Sequence, residues 1–92
     1  MNRDSAERIG IQALGWLAGN DEYLQRFLDT GGASAVDLRQ RAQEPEFLGF
    51  VLDFLLMDDA MVLAFCADTG IAPEAPMQAR AALPGGDMPD WT

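Results

Sequence analysis

Few side chains in this sequence could carry out chemistry, and the most reactive of them is a single cysteine. Histidine and lysine are absent, so the commonest general base and the usual Schiff-base amine are missing. Cys66 shares an apolar helical stripe with Val62 and Phe65, in the more acidic half of the chain. An apolar and acidic environment raises the pKa of a thiol and leaves it unreactive. We therefore expect Cys66 to be a packed core thiol.

Three aspartates form the best candidate cluster for a hard cation: Asp53, Asp58 and Asp59. Calcium and magnesium need more oxygen ligands in a looped geometry, and no D-x-D-x-D-G pattern is present. A helix N-cap followed by a first-turn acid explains Asp58 and Asp59 fully. The sequence therefore predicts no catalytic residue, no metal site and no cofactor. A small enzyme using Asp53, Asp58 and Cys66 stays open as an alternative, and it requires these groups to converge in a pocket.

The segment Tyr23–Gln43 has the spacing of a helix-turn-helix, with Arg39 and Arg41 on its second helix. A DNA reader also needs positive charge that neutralises phosphates. Here Asp37 lies on the would-be recognition helix and the net charge is −9. We expect no nucleic-acid binding, and a DNA-associated, helix-turn-helix-like regulator is kept as an alternative.

The composition describes one small acidic domain with 15 acids, six arginines and 49% hydrophobic residues in 92 positions. The net negative charge favours solubility and is compatible with a positively charged partner. A lone cysteine excludes an intrachain disulfide framework, and the polar N-terminus does not resemble a secretory signal. The most apolar run, Phe47–Met57, is too short to span a bilayer. We expect a cytoplasmic protein that does not bind membranes.

N-cap residues and glycines divide the chain into helices, and these helices position the candidate residues named above. The predicted helices begin at Asp4 or Ser5, at Asn20, at Ser34, at Pro45, at Asp58 and at Pro73 or Pro76. Gly19, Gly31 and Gly70 are predicted to end the first, second and fifth of them. No stretch alternates with period two, so no strand is expected. The fold class is all-α, a compact bundle of five to six short helices, with residues 1–86 as one domain and 87–92 as a flexible acidic C-terminal tail.

A faint internal repeat has a period of 39 residues. Residues 7–45 and 46–84 match at eleven positions, including the run D-T-G that ends at Gly31 and at Gly70. Such a period is typical of one helical unit used twice. The repeat predicts two pseudo-symmetric three-helix units packed around the first and fourth helices.

Apolar residues outside the predicted core stripes are candidates for a binding surface. They are Ile11, Leu14, Phe50, Leu56 and, in the tail, Trp91. If the bundle leaves them exposed, they suit a partner helix or a second copy of the chain. The function we expect is a protein–protein interaction or binding module, with an unknown protein partner or a homodimer.

Several short motifs resemble a known family in order along nearly the whole chain. They are W-L-A (Trp16–Ala18), R-F-L…G (Arg26–Gly31), D-L-R (Asp37–Arg39), F-L-x-x-V-L-D-F-L-L (Phe47–Leu56) and A-L-P-G-G (Ala82–Gly86). The chain is similar to a domain-of-unknown-function family of short, all-helical bacterial proteins. The resemblance implies a stand-alone cytoplasmic helical protein and supplies no catalytic residues.

Overall fold

A computed structural model describes residues 1–31 and 40–83, which form five α-helices and no strand. The all-α prediction is confirmed. The helices are α1 (Arg3–Ala18), α2 (Asp21–Gly31), α3 (Pro45–Leu56), α4 (Asp59–Thr69) and α5 (Ala75–Ala82).

The N-cap of the first helix lies two or three residues earlier than the sequence suggested. Asn2, not Asp4 or Ser5, is the N-cap, and its side chain accepts a hydrogen bond from the Ser5 amide at 2.8 Å. The earlier start is favourable because asparagine caps as well as aspartate or serine. Gly19 also differs from its prediction, since its φ of −85° is right-handed. The chain turns from α1 into α2 without a left-handed residue.

The starts of α2, α3 and α4 lie where the sequence placed them, whereas α5 begins at Ala75, between the two predicted prolines, with Pro76 in its first turn. Asn20 accepts a hydrogen bond from the Tyr23 amide at the start of α2, and Pro45 opens α3. Asp58 caps α4 by accepting from two backbone amides, and Gly70 closes that helix with a φ of +77°. This left-handed conformation favours glycine because a Cβ atom would be strained there.

The centre of the bundle is made by α1, α3 and α5, which pack against one another, while α2 lies on α1 and α4 lies on α3. The backbones of α1 and α3 approach closely at Gly10. A Cβ added to Gly10 would lie 2.9 Å from the Cβ of Leu48. Glycine is therefore required at this crossing.

Helix α3 supplies the largest share of the core, as its apolar sequence predicts. Gly49 is buried as well, so the exposed polar side chains of α3 are those of Glu46 and Asp53. The fully buried large side chains around it come from all five helices or their ends: Leu17, Phe27, Phe47, Leu48, Leu52, Leu55, Met61, Phe65 and Leu83.

The order of the described helices is consistent with the 39-residue repeat. Helices α1 and α2 lie mainly in its first copy, and α3 and α4 lie at the corresponding places in its second copy. Both pairs consist of neighbouring helices in contact. The predicted third helix from Ser34 falls mainly outside the described residues, so the repeat and its pseudo-symmetry stay predictions. The tail 87–92 with Trp91 also lies outside them. No helix in the described ranges is long and apolar enough to cross a membrane.

Candidate interaction surface

The four described members of the predicted binding surface lie in different environments. Ile11 is 50% exposed on α1, whereas Leu14 is only 7% exposed and belongs to the core. Phe50 and Leu56 are half-buried and pack against that core. In this structure Ile11 is the member most accessible to a partner, and a binding role for the set stays a prediction.

Asp53 is engaged with an arginine from another helix. Its two carboxylate oxygens accept hydrogen bonds from Nε and Nη2 of Arg80, the latter at 2.9 Å. The bidentate pair joins α3 to α5 across 27 residues of sequence. Two parallel charge-assisted bonds fix orientation as well as distance. This carboxylate therefore has a structural partner.

Asp58 is also engaged, mainly with the backbone of α4. Its Oδ1 accepts from the Ala60 amide at 2.9 Å, and its Oδ2 lies 3.9 Å from Nη1 of Arg26. Within residues 1–31 and 40–83, no group of three or more cysteine and carboxylate side chains could hold a metal ion. Asp53 and Asp58 thus have separate partners.

Cys66 is buried against the core at 7% exposure, and its thiol lies 3.7 Å from the carbonyl oxygen of Ala72. Burial, and to a lesser degree the negative charge of Glu74, raises the pKa of the Cys66 thiol. The thiol form is therefore favoured at neutral pH, as expected for a packed side chain.

Trp16 joins three helices at one edge of the bundle. Its indole Nε1 donates to Oδ2 of Asp68 at 2.7 Å, and its ring stacks on Tyr23 and meets Phe65 edge-on. These contacts connect α1 to α2 and to α4. They hold the carboxylate of Asp68 in place in the last turn of α4.

Helix α4 is apolar on both of its faces. The inner face buries Met61, Val62, Phe65 and Cys66. Ala60, Leu63, Ala64 and Ala67 follow i, i+3, i+4, i+7 on the opposite side, and Leu63 is 59% exposed. We call these four residues the α4 outer face. Met57, 78% exposed, precedes the N-cap Asp58 of this helix.

Helix α2 differs from α4 in having a polar outer face. It has the same length as α4, 11 residues. Its exposed positions carry charged, amide or hydroxyl side chains: Asp21, Glu22, Gln25, Arg26, Asp29 and Thr30. A helix that is apolar all round is normally covered on several sides. Among the described helices, α4 packs mainly against α3, and none of them covers Leu63 at the centre of the α4 outer face, which is 59% exposed.

Sequence reasoning missed the α4 outer face. The run Ala60–Ala67 contains no charged, amide or hydroxyl side chain. That run is the sequence signal of a helix that is apolar on both sides, and it includes the inner stripe of Val62, Phe65 and Cys66. The sequence did not indicate which side of the helix the bundle would cover.

Acidic residues border this face. At 100° per residue, Asp59 and Asp68 lie on its two flanks and near its opposite ends. Residues 58–79 carry four acids and no arginine. The last turn of α4 has no basic residue, although a cation is the favoured charge there. The surface is therefore an apolar strip with an acidic border.

Comparison with family models finds a match over residues 3–86 to the family described as Protein of unknown function (DUF3572). The chain belongs to this family. No curated protein and no solved structure matches the chain. Membership agrees with the resemblance drawn from the motifs and brings no named activity with it.

Proposed function

We propose that this member of the family is a non-catalytic module that binds a protein partner through the α4 outer face. The observation that carries the proposal is the exposure of Leu63 at the centre of an apolar strip on a helix whose other side is already buried. Such strips serve helix-in-groove or helix-on-helix recognition. The setting we propose is the cytoplasm.

The two alternative functions receive less support from the geometry. An enzyme would need reactive groups at one point, but Asp53 binds Arg80 and Cys66 is buried. A DNA-binding regulator would need free arginines on one face. Arg41 instead lies 3.6 Å from Glu44 and stacks over Phe47, while Arg39 lies outside the described residues.

The test compares co-purification with three baits: the wild-type chain, Leu63→Glu and Met77→Glu. Met77 is a matched control because it is 68% exposed on α5, and both substitutions add the same charge. We expect a specific protein to be retained by the wild type and by Met77→Glu and lost with Leu63→Glu. Recovery of the same proteins with all three baits would contradict the proposal.

Self-association is the second candidate, since an uncovered apolar face also suits a second copy. Light scattering of the three proteins separates it from binding of another protein. A wild-type dimer that Leu63→Glu converts to a monomer would favour the homodimer.

A further inference from the structure

The charges around the α4 outer face indicate which partner it fits. Asp59 and Asp68 flank the strip, and no cation is present in residues 58–79. Arg26 pairs with Glu22 and approaches Asp58 at the start of α4. We infer that the α4 outer face binds a cationic amphipathic helix of a partner protein, an inference that rests on the proposed function.

The C-terminal end of α4 favours a cation from the partner more strongly than the rest of the helix does. Unsatisfied carbonyl groups give a helix C-terminus a partial negative charge, and a carboxylate there is unfavourable. Asp68 nevertheless lies in the last turn, held by the indole of Trp16. A partner cation placed beside Asp68 would interact with both the carboxylate and the helix end. The partner's basic residues should therefore concentrate near the C-terminal end of α4.

The side chains of the strip suit a helix better than a broad surface. Ala60, Ala64 and Ala67 are small and let a second helix approach closely, while Leu63 projects as a single knob. Interaxial distances depend on the side chains at the contact. A partner helix would present apolar residues at i, i+3 or i+4, and i+7.

A second copy of this chain fits less well because of its charge. Each copy has a net charge of −9, so symmetric contact would bring like charges together. The chain's own residues 84–92 contain Asp87 and Asp90 and no cation, so they are also poorly matched.

The inference is tested with two labelled peptides of about 14 residues, roughly four helical turns. Both carry the same leucine stripe, flanked by arginine and lysine in one and by glutamate in the other. Fluorescence anisotropy at low salt should show binding of the basic peptide only, weakening as salt is raised. Equal binding of both peptides, or no binding of the basic peptide, would overturn the inference.

Matched variants locate the site of binding. Leu63→Glu should weaken binding of the basic peptide about tenfold or more, as a central apolar anchor does. Asp68→Asn should weaken it about two- to fivefold, because it keeps an oxygen for Trp16 and removes the charge. Met77→Glu and Asp29→Asn, the latter in the last turn of α2, should leave binding unchanged.

The two proposals can fail separately. One outcome is that retention of the co-purified partner depends on Leu63 while the two peptides bind equally well. In that case the proposed interaction function stands, and the inference that the partner helix is cationic is wrong. Equal losses of peptide binding from Asp29→Asn and Asp68→Asn would also overturn the inference, because binding would then follow overall charge.

Discussion

Gly10 shows how a single hydrogen atom in place of a side chain sets the distance between two helices. The Cβ of Leu48 occupies the space that a side chain at position 10 would need. Sequence alone could not assign this role, because a glycine inside a helix ordinarily reduces its stability. The reason for Gly10 becomes visible only when α3 is placed against α1.

Gly10→Ala is expected to lower the free energy of unfolding by about 1–3 kcal/mol, the usual range for overpacking a core. The control is Gly15→Ala, on the exposed side of the same helix, where an added Cβ meets nothing within 4 Å. That change should be neutral or stabilising by up to about 1 kcal/mol, because alanine favours the helix. Urea denaturation of both variants checks the pair. A loss of stability in Gly15→Ala equal to that in Gly10→Ala would contradict the close-contact explanation.

At the scale of the helix, α4 has ends that its own sequence determines. Asp58 caps its amides and Gly70 supplies the left-handed closing residue. Each cap acts on backbone groups only a few residues away from it in the sequence. Both ends of the helix could therefore be predicted from the sequence. Its outer face could not, because the pattern shows where apolar residues lie and not which of them a neighbouring helix covers.

Asp58→Ala should reduce the free energy of unfolding by about 0.5–2 kcal/mol, through loss of the cap to α4. Asp59→Ala is the control, since Asp59 lies in the first turn of α4 and its side chain makes no hydrogen bond within the described ranges. It should cost less, because only its interaction with the helix dipole is lost. Thermal and urea unfolding provide the comparison, and equal losses in the two variants would show that the cap is not the main contribution.

For the whole molecule, the number and positions of the described helices followed from caps, glycines and apolar spacing. Their arrangement did not. The Trp16–Asp68 hydrogen bond joins residues 52 apart, and the Arg80–Asp53 pair joins residues 27 apart. Such contacts depend on the relative placement of helices, for which a single sequence carries no local signal. The same placement leaves Leu63 of the α4 outer face exposed among the described helices.

Site-specific cross-linking in the cell tests the claim that a partner protein covers the α4 outer face. A photoreactive phenylalanine analogue replaces Leu63 in one protein and Met77 in another, and both are irradiated in living cells. We predict a covalent adduct to a different protein, through a basic helical segment, from position 63 and not from position 77. The same adducts from both positions, or none from position 63, would contradict the claim.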